Sequence, residues 1–161
     1  MKLTLLLSAL LAFGVPVVQA QTYPSKPVRI IVGFAAGGPS DIVARLMAQQ
    51  LTERLGRQVV VENRAGATGM IGAEIVAKAP PDGHTLYLAS QTTHAVAPYM
   101  YAKPLYDPIK EFSTVVLVAH NPLLAVVHPS LGVKSIKELV AFAKRRPGDL
   151  NFATGGQGSS P

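Results

Sequence analysis

Four stretches of small and hydroxyl-bearing residues recur along the chain, at 35–40, 63–69, 90–94 and 154–160. Glycine, serine, threonine and asparagine let backbone N–H groups come close to a ligand. A loop of this kind that opens a helix also presents the positive end of the helix dipole. That chemistry suits an anion, most simply a carboxylate. Taken singly, a glycine-rich loop is an ordinary turn; four at one rim carry more weight.

Other chemistries find less support. Gly33, Gly37 and Gly38 do not make the spacing of a dinucleotide fingerprint, and no Gly-Lys-Ser/Thr of a phosphate loop occurs. Glu62 is the one acidic residue ending the second strand, where an ordinary strand-end charge is the plainer reading. Asp41, in the first turn of its helix, suits the dipole at least as well as a ligand. His84, His94, His120 and His128 lack metal-ligand spacing, so no metal is expected. Only His94 falls on a rim loop, where polar packing is the plainer role. Ser159 and Ser160 lack a nucleophile elbow. With no cysteine, thiolate chemistry and disulfides are excluded. No cofactor is expected.

These loops need a scaffold, and the hydropathy pattern supplies one. Residues 28–34 (VRIIVGF) form a nearly continuous apolar run, the mark of a strand buried on both faces. From Ser40, a candidate N-cap, Val43, Leu46, Met47, Leu51 and Leu55 fall at helical spacing, and Gly56 stops them. The unit repeats: a strand at 59–61, a loop at 63–69, a helix over 70–79, then Pro80-Pro81-Asp82-Gly83 and a strand at 85–88. Alternation of this kind predicts an α/β fold with a mainly parallel sheet. Residues 97–108 read as irregular, and the apolar runs 115–118 and 123–127 as a crossing between lobes. Ser135 and Glu138 fit a capping box opening a helix that closes at Pro147-Gly148. Residues 150–153 read as a further strand. A strand followed by a glycine loop calls for a covering helix, so the expectation is a C-terminally truncated chain.

Charge and termini bound the setting. Met1-Lys2, an apolar stretch over 3–18 and Val18-Gln19-Ala20 predict a secretory signal peptide cleaved after Ala20. Removing Lys2 lowers the formal net charge from +6 to +5. The surplus is spread out, and its densest cluster, Lys144-Arg145-Arg146, complements a helix C-terminus. With 6% aromatic residues and no tryptophan, nucleic-acid binding is not expected.

Several blocks, in order, carry a resemblance: Tyr23-Pro24-Ser25-Lys26-Pro27-Val28-Arg29-Ile30-Ile31-Val32, Phe34 to Asp41, Val61 to Gly69 (VENRAGATG), and Pro80 to Leu86 (PPDGHTL). Leu105-Tyr106-Asp107-Pro108, Val127-His128-Pro129-Ser130 and Arg146 to Ala153 (RPGDLNFA) follow. Together they resemble the Bug family, the periplasmic substrate-binding proteins of tripartite tricarboxylate transporters. Ser113-Thr114 departs from the family's usual polar residue plus proline. The resemblance implies a two-lobed, type II periplasmic-binding-protein fold with mainly parallel sheets. It divides the chain into a signal peptide (1–20), a first lobe (21–119) and the start of a second (120–161).

It also implies capture of a small carboxylate, whether a di- or tricarboxylate, an amino acid or an aromatic acid, for membrane permease subunits. The protein would be a monomer rather than an enzyme, and a fragment with impaired binding. The alternative is an exported α/β enzyme acting on a small carboxylate. Matched block by block, the ligand-binding residues would be Phe34, Ala35, Ala36, Gly37, Gly38, Ser40 and Asp41; Ala65, Gly66, Ala67, Thr68 and Gly69; Ser90, Thr92 and His94; and Gly155, Gly156, Gly158 and Ser159.

Overall fold

A computed structural model describes residues 22–120, 122 and 124–151 of the chain. Three strands, β1 (Val28–Val32), β2 (Val59–Asn63) and β3 (Thr85–Tyr87), form a parallel sheet in the order β2-β1-β3. The central strand is the most apolar, and Val28, Ile30, Ile31 and Val32 are all buried. An α/β architecture is therefore present.

Between β1 and β2 runs α1 (Pro39–Leu55), and between β2 and β3 runs α2 (Met70–Ala77). The first covers one face of the sheet: its Ala44 and Ala48 pack with Val28, Ile30, Val32 and Val59, and Leu51 and Leu55 close the edge. On the other face Ile31 lies beside Tyr87, which packs on Met70 and Ala73 of α2. Crossing in opposite directions from β1 and from β2 places right-handed connections on opposite faces. The chain therefore parts at the carboxyl end of β1.

Helix α1 starts at Pro39, and its N-cap is Gly38 rather than the Ser40 that the sequence reading offers. Proline at the first helical position needs no hydrogen-bond partner and already has a helical φ. Gly56 ends the helix at φ +63°, its N–H donating to Thr52 O. The N-terminal segment is tied to the turn before β3. Lys26 Nζ donates to Asp82 Oδ2 at 2.8 Å, Tyr23 Oη to Gly83 O at 2.7 Å, and the Ser25 N–H to His84 Nε2 at 3.2 Å.

After β3 comes a π turn (Thr92–Val96) running into the short helix α3 (Ala97–Met100). That helix lies in a segment read from the sequence as irregular. Ala97 is fully buried beside Met70 and Ala73, and this tertiary contact outweighs the Pro98 that weakens the helical signal. The apolar runs at 115–118 and 124–127 pair with no strand among the described residues, and Val115, Leu117, Leu124 and Val126 are exposed. Helix α4 (Ile136–Arg145) carries the expected cap, with the Glu138 N–H donating to Ser135 Oγ at 3.2 Å. Its Glu138 carboxylate accepts from the Lys134 N–H, one residue before the cap, at 2.8 Å. The strand expected at 150–153 lies largely outside the described residues, and the signal peptide wholly so.

Candidate functional site

Three loops leave the carboxyl ends of the strands, the place where open α/β sheets hold their ligands. The first, 33–38, is shaped by a buried carboxylate. Asp41 accepts from the Gly37 N–H at 2.8 Å, from Arg45 Nε at 2.9 Å and from Asn63 Nδ2 at 2.9 Å. Asn63 also donates to Phe34 O at 3.1 Å and accepts from Arg45 Nη2 at 3.2 Å. The Arg45 guanidinium, with the Gly37 amide and Asn63, holds the Asp41 carboxyl well below the usual carboxylate range. Asp41 is thus engaged behind the loop, while Ala35, Ala36 and Gly37 face outward.

The second loop has an unusual backbone. Gly66, Ala67, Thr68 and Gly69 have φ of +133°, +46°, +58° and +88° in succession. For Ala67 and Thr68 that region is sterically costly and persists only where the surroundings enforce it. The Gly69 N–H closes the turn on Gly66 O at 2.9 Å, and α2 begins directly after it. Ala65, Gly66 and Ala67 are exposed, and Thr68 Oγ1 lies 3.3 Å from Tyr101 Oη.

The third loop is closed by reciprocal capping. The Ser90 N–H donates to Thr93 Oγ1 at 3.1 Å and the Thr93 N–H to Ser90 Oγ at 3.3 Å. Thr92 and Thr93 are buried. His94 sits among rings, stacked on Tyr87 at 5.7 Å and meeting Phe112 edge-on at 4.8 Å. Burial lowers its pKa and favours the neutral imidazole.

The loops meet at close quarters. A Cβ on Gly33 would stand 2.7 Å from Gly69 O and would strike the Tyr87 hydroxyl; a Cβ on Gly72 would stand 3.0 Å from Gly33 Cα. Tyr87 Oη donates to Gly69 O at 3.0 Å. Asn63, Arg45, Tyr87 and Gly72 are absent from the candidates drawn from sequence. Gly33, inside the otherwise apolar run 28–34, already signals a close backbone approach.

Glu62 is occupied too. Arg29 grips it with Nε at 2.6 Å and Nη2 at 2.9 Å, Arg64 adds a bond at 3.1 Å, and its carboxyl is held down at about 2. A ribose role finds no free oxygen pair. Among the described residues no three His, Cys, Asp or Glu side chains gather as a metal site. Two concavities of about 370 Å³ lie along α1, one lined by Arg45, Ala48, Thr52 and Val59, the other by Leu46, Met47, Leu51 and Arg54. Neither is built from the rim loops. Gly155, Gly156, Gly158 and Ser159 lie outside the described residues.

The arrangement can therefore offer an anion the exposed loop segments at 35–37 and 65–67, each just ahead of a helix N-terminus. Residues 43–161 match the tripartite tricarboxylate transporter family receptor. A UPF0065 protein of Bordetella bronchiseptica is 43% identical over 157 residues, 97% of this chain and 46% of that protein. BugT of Bordetella pertussis is 41% identical over 143 residues, 88% of this chain and 44% of that one. The chain spans less than half the length of these curated relatives. An R. palustris protein solved with adipate superposes with a TM-score of 0.73 at 38% identity, over 80% of this chain and 43% of that one. MatC from Rhodopseudomonas palustris, with bound malate, gives 0.68 at 36%, over 76% and 42%.

Proposed function

The chain belongs to the tripartite tricarboxylate transporter receptor family, and from that premise we propose that its three rim loops form part of a carboxylate-capturing site in an extracytoplasmic solute receptor. The observation that carries this reading is the pair of solvent-exposed loop segments at 35–37 and 65–67, each leading into a helix. Backbone donors ahead of a helix recognise a carboxylate through fixed N–H groups and dipole, without needing a cationic side chain. Relatives solved with adipate and with malate support a dicarboxylate ligand.

Within the site, Phe34, Ala35, Ala36, Gly37, Gly38 and Ser40 form one wall, and Ala65, Gly66, Ala67, Thr68 and Gly69 the second. Ser90 and Thr92 flank the third. Asp41 and His94 act from behind, shaping the loops. Gly155, Gly156, Gly158 and Ser159 are proposed as a further wall on family resemblance alone. The same resemblance supports division at about residue 120, a monomer, delivery to permease subunits, and a periplasmic setting after cleavage behind Ala20. The relatives are binding proteins, which supports capture rather than catalysis.

Titration calorimetry of the chain against adipate, malate and the neutral diamide of adipate tests the proposal. Heat of binding with a dicarboxylate and none with the diamide is the expected result. Equal response to the diamide, or conversion of the ligand, would overturn it.

A further inference from the structure

One phenol touches all three rim loops. Tyr87 is the last residue of β3, paired across the sheet with Ile31 of β1, so its side chain rises on the α2 face directly below the loops. Its hydroxyl donates to Gly69 O at 3.0 Å, at the end of the strained turn, and occupies the space that a side chain at Gly33 would need. Its ring stacks on His94 at 5.7 Å and lies 6.4 Å from Phe112. A side chain at Gly69 would meet the Tyr87 hydroxyl, Phe34 Cζ and Thr93 Cγ2 together, so the three loops converge within one contact shell. Burial raises the Tyr87 pKa, so the phenol keeps its proton and remains a donor.

We propose that Tyr87 is a positioning residue for carboxylate capture: its hydroxyl pins the positive-φ turn at 66–69 against the end of β1, while its ring fixes the 90–94 loop through His94. The role in capture rests on the receptor reading above; the pinning of the loops does not. Ala67 and Thr68 hold a costly backbone, and Gly69 O is the point at which a hydrogen bond can oppose its relaxation. Losing that bond frees the N–H groups that precede α2 and couples to the third loop through the shared ring.

Tyr87→Phe in the whole chain removes the hydroxyl and keeps the ring. The comparator is Thr52→Val on α1, which also deletes a hydroxyl bridging two backbone groups, Ala48 O at 2.7 Å and the Val59 N–H at 3.0 Å, away from the rim. Amide exchange resolved by residue is expected to accelerate about tenfold at Gly69, Met70, Thr93 and His94 in Tyr87→Phe and to stay unchanged there in Thr52→Val. Calorimetry with adipate or malate is expected to show about tenfold weaker binding in the first variant only.

Equal exchange at these amides in wild type and Tyr87→Phe, or equal loosening in both variants, overturns the proposal. Should neither dicarboxylate bind the wild type, the receptor reading fails, and the exchange comparison still decides the pinning role. If Tyr87→Phe does not fold, denaturant-dependent exchange of the wild type decides: 66–70 and 92–94 must open with one free energy, and two separate values overturn the coupling.

Discussion

Asn63 joins two elements through one amide. Its NH₂ donates to both Phe34 O and Asp41 Oδ1, and its Oδ1 accepts from Arg45, so no other side chain of its size serves as both donor and acceptor here. Asn63→Ala leaves a buried carboxylate short of a donor and should cost about 2 kcal/mol, read from the urea midpoint at unchanged slope. Glu62 and Asp82 share the acid limb of stability with Asp41, which Arg45 holds well below the usual carboxylate range. Arg29 holds the first at about 2, and Lys26 holds the second at about 2. Both folded values lie below the ordinary carboxylate range, so these pairs stabilise the fold above about pH 4.3 and lose their effect as pH falls towards 2. Glu62→Gln should therefore be less stable than wild type at pH 7, with the gap closing between pH 4 and pH 2. A pH-independent gap in chemical denaturation would remove the ion pair from the account.

Among the elements, the strand-to-helix loops rank their own glycines. Gly37 has φ +84° with open space around a Cβ, whereas Gly38 has φ −78° and meets only Ala35 O at 3.5 Å. Gly37→Ala should cost about 1 kcal/mol from backbone strain alone, and Gly38→Ala little. Gly33→Ala drives a Cβ into the backbone of Gly69 and should cost about 2 kcal/mol. Thermal or urea unfolding of the three variants checks the order; Gly38→Ala as the worst of them would contradict it. That the loops after β1, β2 and β3 leave the same end of the sheet was legible in the sequence, because apolar runs changing to helical period place each loop at a strand's carboxyl end. What holds the loops was not legible. The Arg45–Asp41 pair is i,i+4 on one helix, which the period does encode, but Asn63 and Tyr87 reach partners 18 to 29 residues away, and no local period encodes such contacts. The start of α1 was missed by two residues, Gly38 rather than Ser40 being the cap, because a proline at the first helical position outranked a serine cap.

Across the whole molecule, burial is divided unevenly. The sheet with α1 and α2 carries the buried apolar side chains, from Val28 to Ala73, joined by Ala97 and Tyr106. Beyond Phe112 no apolar residue among those described is buried: Val115 is 80% exposed, Leu124 82% and Val126 86%, and α4 has no buried residue. The apolar runs and helical face that identified these segments in sequence record what they can bury, not whether a partner surface is at hand. Local opening free energy follows buried contacts rather than hydrogen bonds alone, because solvent-exposed ladders and helices fray at little cost. Amide exchange along the chain should therefore fall into two classes. Residues 28–32, 44–48 and 70–76 should be slowest, opening only with the whole sheet unit. The amides of 115–120, which join no ladder, should exchange near the rate of a free chain, and those of 138–145 within a few tens of that rate. Replacing Leu124 and Val126 with lysine should then leave the urea midpoint of the sheet unit within about 0.5 kcal/mol, as expected for exposed positions. Slow exchange at 115–120, matching that of β1, would mean that these apolar runs are packed in solution, and both outcomes forecast here would fail together.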